Sequence, residues 1–196
     1  LAMTNANVAL AVNEVPTNSA GASVAYGNGA TVTGANAVGL GKSATVTGAN
    51  AVGLGNGATV TGANAVGLGS SASVTGANAV GLGSNASVKG VNAVGLGTNV
   101  KASNSDVVAI GTAAKTETAG GGIAIGQNSY SKGIYGNTPS VAIGKNSIAN
   151  GGTAIAIGTS ATVNSAGNRY SQGIAIGGGA LPDQGATVIG DQGIAI

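Results

Sequence analysis

The chain alternates large apolar with small or polar residues over short segments, and bounds each segment with Gly or Asn. Ala-Val-Gly-Leu-Gly recurs at 37–41, 51–55, 65–69, 79–83 and 93–97, a period of 14 residues. Between these copies lies a second unit, Ala-Thr-Val-Thr-Gly at 44–48 and 58–62, then Ala-Ser-Val-Thr-Gly at 72–76 and Ala-Ser-Val-Lys-Gly at 86–90. Later copies read Val108-Ala109-Ile110-Gly111, Ile123-Ala124-Ile125-Gly126, Val141-Ala142-Ile143-Gly144, Ile155-Ala156-Ile157-Gly158 and Ile174-Ala175-Ile176-Gly177, and Val24-Ala25-Tyr26-Gly27 precedes the array. Period-two alternation rich in Val, Ile and Thr signals strands and not helices. A fixed period over most of the chain signals stacked rungs. Two five-residue strands and two turns of about two residues account for one period, and rungs rising by about 4.8 Å give a two-sheet parallel solenoid on the order of 60 Å long.

Parity assigns side chains to faces. In the second unit Ala44 and Val46 oppose Thr45 and Thr47, so a polar Thr face meets solvent. In the first unit Val38 and Leu40 oppose Ala37 and Gly39. If the bulky sets meet inside, the outer face of the first sheet is a strip of small residues: Ala37, Gly39, Ala51, Gly53, Ala65, Gly67, Ala79, Gly81, Ala93, Gly95, Ala109, Ala124, Ala142, Ala156 and Ala175. A strip so uniform is expected where another backbone approaches, so these residues are the predicted interface of an oligomer. Asn36, Asn50, Asn64, Asn78 and Asn92 recur just before the first strand, where Asn tolerates left-handed turn geometry; a structural ladder is expected.

Composition supports a thin fold. Of 196 residues 38 are Gly and 37 Ala, with no Phe or Trp, so each buried side chain contributes little and burial must come from repetition or partner chains. Without Cys or His, disulfides, thiolate and imidazole chemistry and zinc ligation have no side chains to run on, and no enzyme is expected. Seven basic and five acidic residues give a net charge of only +2, which argues against nucleic-acid binding. No metal site or cofactor is expected: three scattered Asp do not make a calcium repeat, and Asn36 stands where a phosphate-binding loop ending in Lys42-Ser43 needs Gly. No apolar run is long enough for a spanning helix, so no direct membrane insertion is expected. The chain starts at Leu1 and ends within a motif copy, which reads as a fragment of a longer protein.

Repeat length and charge change along the chain. Residues 1–100 hold only Glu14, Lys42 and Lys89 of the charged residues, and the spacing lengthens after Gly111, placing insertions at about 127–140 and 159–173. The first holds Tyr130, Lys132 and Tyr135, the second Arg169 and Tyr170; as projecting loops they are candidate partner-binding elements, with plain solvent loops as the alternative. Thr31/Thr33, Thr45/Thr47 and Thr59/Thr61 would also suit an ice-binding lattice.

The Val-Ala-Ile-Gly spelling, the 14-residue period and the Ala-x-Val/Ala-x-Gly unit, running from about residue 8 to 196, resemble the head repeat of YadA-type trimeric autotransporter adhesins. The run of Ala-Val-Gly-Leu-Gly departs from that pattern in having Gly39 for Ala and Leu40 for Ile. The resemblance implies an all-β, left-handed parallel β-roll, homotrimeric, making residues 1–196 a single head domain. It further implies exposure on the bacterial cell surface beyond the outer membrane and attachment to host extracellular-matrix proteins such as collagen and fibronectin, or to host cells. A structural spacer with binding located elsewhere is the alternative, with ice binding behind it.

Overall fold

The computed structural model describes residues 17–18, 23–117, 120–133, 138–164, 172–179, 181, 184–190 and 192–196. Twenty-four strands among them form two parallel sheets of 12, and successive strands in the chain alternate between the sheets. Sheet I runs from Val24–Tyr26 through Val38–Leu40 and its copies to Gln192–Ala195. Sheet II runs from Thr17–Asn18 through Thr45–Val46 to Thr187–Ile189. This is the expected all-β parallel roll, with each motif copy paired in register to the next: Val38 with Val52, Leu40 with Leu54, Thr45 with Thr59.

The strands are mostly shorter than expected, three residues in most of sheet I and two or three throughout sheet II. Turn geometry accounts for the difference. Each copy of Val-Gly-Leu ends on a Gly with strongly positive φ, as at Gly55 (137°) and Gly69 (139°). A Cβ on Gly55 would overlap the Gly69 carbonyl of the next rung, so both the backbone angle and the stacking require Gly here. Two residues on, Ser43, Ser71, Asn85 and Asn99 take φ near 55°, and at the opposite corner Asn36, Asn50, Asn64, Asn78 and Asn92 do the same. The predicted asparagine ladder is present. Asn50 Nδ2 donates to Asn64 Oδ1 at 3.2 Å, Asn64 to Asn78 at 3.1 Å, Asn78 to Asn92 at 3.2 Å, and Asn92 to the Asp106 carboxylate at 2.9 Å.

The interior corrects one expected face. In sheet II, Ala44 and Val46 are buried and Thr45 and Thr47 face outward, as parity predicts. In sheet I the inward residues are Ala37 and Gly39, while Val38 and Leu40 face out, partly exposed. Ala37, Ala51, Ala65, Ala79, Ala93, Ala109, Ala124, Ala142, Ala156 and Ala175 are 0% exposed within one chain, and Gly39, Gly53, Gly67, Gly81 and Gly95 are buried beside them. The predicted small-residue interface is therefore the core of the roll. Volume is the reason. A Cβ on Gly39 would lie 2.5 Å from Val32 Cγ2 and 3.2 Å from Val46 Cγ2, so the two sheets stand too close for Val to face Val or Leu. At Ala109, Ala124 and Ala142, where sheet I carries Ala instead of Gly, sheet II carries small or polar residues, Ala102, Thr116, Ser131 and Ala149, whereas Ala156 and Ala175 share a core cluster with Val163 and Val188. From Val32 to Ala149, large against small keeps the filling similar from rung to rung.

Candidate interaction surfaces

With the small residues inside, two outward faces remain. That of sheet I is apolar apart from Gln172 and Gln192, which open its last two strands. Val24 and Tyr26 are followed by Val38 and Leu40, their copies through Val94 and Leu96, and then Val108/Ile110, Ile123/Ile125, Val141/Ile143, Ile155/Ile157 and Ile174/Ile176. No strand of this sheet contains a charged residue. Neighbouring rungs shield most of these side chains only in part; Val24 is 49% and Tyr26 40% exposed. A continuous strip of large aliphatic side chains over 12 strands far exceeds the isolated apolar residues of an ordinary monomer surface.

The outward face of sheet II changes along the roll. Thr31, Thr45, Thr59, Ser73 and Ser87 occupy one column in register, followed by Lys101, Lys115, Tyr130, Ile148, Thr162 and Thr187. The adjoining column runs from Thr33 and Thr47 to Lys89, then Glu117, Lys132, Asn150 and Asn164. Tyr130 and Lys132, expected on a projecting loop, are strand residues of this sheet (Tyr130–Lys132). Counting from glycine to glycine reveals extra residues in a period but not where in it they fall. Tyr135, Arg169 and Tyr170 lie outside the described residues.

Sequence reasoning missed the cluster that Tyr130 joins. Lys115 Nζ and Glu117 Oε1 form an ion pair at 2.5 Å, Tyr130 Oη donates to Glu117 Oε2 at 2.8 Å, and the Lys115 ammonium stands 5.0 Å from the Tyr130 ring centroid. Lys115 and Glu117 point to the same side of one strand, and the 15-residue step to the next rung sets Tyr130 beside Lys115. Partial burial alone would raise the Glu117 pKa, but hydrogen bonds from Lys115 and Tyr130, with the charges of Lys115 and Lys101, hold it below the ordinary carboxylate value. Burial, and then the Glu117 carboxylate, push the Tyr130 phenol above its usual range. The signal for this group was in the sequence: aligning the rungs by register, not by spelling, places Ser87, Lys101 and Lys115 in one column.

Among the described residues no group of three or more His, Cys, Asp and Glu could hold a metal ion, and no helix is long and apolar enough to cross a membrane. Lys42 is an exposed turn residue. No protein-family model matches the sequence, and no curated protein matches it. Among solved structures the chain is similar to the collagen-binding domain of the Yersinia adhesin YadA, with a TM-score of 0.43 and 26% identity, covering 88% of this chain and 69% of that one.

Proposed function

We propose that this chain is the head of a bacterial surface adhesin, which associates as a homotrimer through the outward face of sheet I and attaches to host extracellular-matrix proteins or cells. The observation that carries the reading is the uncharged Val/Leu/Ile strip of sheet I, running the length of a roll whose own interior is only Ala, Gly and Val over most of its rungs. A two-sheet roll this thin buries little apolar area per chain, and covering the strip with copies of itself supplies the missing burial. The trimer number and the placement beyond the outer membrane follow the resemblance of the repeat to YadA-type heads, as do matrix proteins of the collagen and fibronectin class. Three copies around one axis would present three sheet II faces, and many weak contacts would add through valency.

Light scattering of the isolated chain over a dilution series tests the assembly; the expected mass is three times 18.0 kDa. Leu54→Lys with Leu68→Lys, on the third and fourth strands of the strip, should yield smaller species, because unpaired charges in an apolar interface are strongly unfavourable. Solid-phase binding to collagen and fibronectin then tests adhesion. A folded wild-type monomer overturns the assembly. A stable trimer that holds no matrix protein or cell makes the head a spacer instead. The Thr-x-Thr ladder extends over only three consecutive rungs before Ser73, so ice binding has little lattice to work with.

A further inference from the structure

Four of the seven basic residues of the chain stand on four consecutive rungs of one face. Lys89, Lys101, Lys115 and Lys132 all project outward from sheet II, Lys101 in register with Lys115, and Glu117 with Lys132. Lys89 sits one residue beyond the Ser87–Val88 strand, and its N–H donates to the Ala102 carbonyl at 2.9 Å, which continues the ladder. Only one carboxylate, Glu117, lies among them, and it is engaged by Lys115 and Tyr130. In a chain with so few charges this grouping is a positive row aligned with the roll axis, about 14 Å from first rung to last at about 4.8 Å per rung.

We propose that this row binds a linear sulfated polysaccharide. Lysine ammonium groups are mobile point charges suited to sulfates at repeating intervals, whereas bidentate recognition of a single site would call for Arg. The face is a strand surface with an open pocket of about 370 Å³ beside Lys89 and Ser103, and a linear polymer laid along the axis meets Lys89, Lys101 and Lys132 as charges with no ion-pair partner among the described residues, Lys115 being held by Glu117. Its composition speaks against the other polyanions and against folded partners. Bases of a single-stranded nucleic acid need exposed rings to stack on, yet Tyr130 already carries the Lys115 ammonium over its ring and spends its hydroxyl on Glu117. Protein hot spots centre on aromatic or Arg anchors, and the aromatic residue described on this face, Tyr130, is already held by Lys115 and Glu117. The site lies on the sheet opposite the apolar strip, so it does not depend on what covers sheet I.

The test uses heparin as the probe, with binding measured by calorimetry across a range of salt. The key variant is Lys89→Thr with Lys101→Ser. These side chains occupy the equivalent positions one rung earlier, at Thr75 and Ser87, so the roll accommodates them. Binding should weaken by at least about tenfold near 0.1 M salt, and the slope of log K against log salt should fall in magnitude by about two. Lys42→Asn with Lys145→Gln removes the same charge from exposed turns, where Asn56 and Gln127 stand in equivalent copies, and should leave binding unchanged. Equal losses in the two pairs, no heparin binding by the wild type, equal binding of desulfated heparin, or displacement of heparin by a thymidine oligonucleotide at matched charge each overturn the proposal.

Discussion

From Val32 to Ala114 the interior is almost wholly apolar, Val of sheet II against Ala and Gly of sheet I over the first rungs and Ala102 against Ala109 at the last. From Thr116 to Ser140 hydroxyls take over: Thr116, Ser129, Ser131 and Ser140 are all buried, with Ser147 buried just beyond, and the two apolar core clusters end on either side, at Ala114 and Ala142. The backbone ladder continues unchanged through both regions. Each hydroxyl is provided for. Ser129 and Ser147 donate to the Gly126 and Gly144 carbonyls at 2.9 Å, Ser131 donates to the Ser140 carbonyl at 2.8 Å and meets its hydroxyl at 2.8 Å, and Thr116 reaches the Lys101 carbonyl at 3.4 Å. The glycine corners and the filling volume are thus fixed, while the polarity of the filling is free so long as its hydrogen bonds are made.

The sharpest way to separate those requirements is to violate them one at a time in the regular region. Gly69→Ala should destabilise by about 3 kcal/mol or more in chemical denaturation, because the residue has φ 139° and its Cβ would overlap the Gly83 carbonyl of the next rung. Gly67→Ala should cost less, about 1–3 kcal/mol, since the obstruction is side chain: Val60 Cγ2 at 2.6 Å and Val74 Cγ2 at 3.2 Å. Adding Val60→Ala to Gly67→Ala should recover at least about 1 kcal/mol relative to the sum of the single changes. That double variant approximates the Ala-against-small arrangement of Ala109 with Ala102. Strict additivity would mean that rung filling is not set by the facing pair.

This pairing also explains what could and could not be read in the sequence. The period, the two sheets, the asparagine ladder and the outward Thr column were legible because each depends on local geometry repeated many times. Which side of the first strand faced inward was not. Alternation is symmetrical between Val38/Leu40 and Ala37/Gly39, and the rule that bulky residues lie inside fails where the sheets approach closely enough for one Val per rung to fill the space. The decisive hint was the compensation itself, Gly39 with Val32 and Val46 but Ala109 with Ala102 and Thr116. Tyr130 was legible as a residue of interest but not as a strand residue, because Ser131 stands in the column where Val marks the second strand from Val32 to Val88 and again at Val163.

The hydroxyl-filled region yields a smaller effect of opposite design. Ser131→Ala should destabilise by about 1 kcal/mol, leaving the buried Ser140 hydroxyl without its 2.8 Å partner. Ser131→Ala with Ser140→Ala should return most of that loss, because the Ser140 carbonyl is still satisfied by the Ile123 N–H at 2.9 Å. If the double variant is less stable than the single, the hydroxyls hold the two apolar clusters together in some way beyond satisfying each other.

The smallest expected effect lies on the outer face, where the two regions differ in charge rather than in filling. Glu117 has its folded-state pKa lowered, so its contribution to stability is present above the ordinary carboxylate value and is lost as pH falls through the lowered one. Tyr130 has a raised pKa: its contribution is complete below the usual phenol value of 10.0 and declines as pH rises beyond it. Glu117→Gln should therefore flatten the acid limb of a stability–pH profile and, by removing the carboxylate beside the phenol, bring Tyr130 ionisation closer to normal in an ultraviolet titration. Both changes come from one partially exposed cluster, so each should be modest and screened by salt. An acid limb unchanged by Glu117→Gln would place the acid sensitivity of the roll outside this cluster.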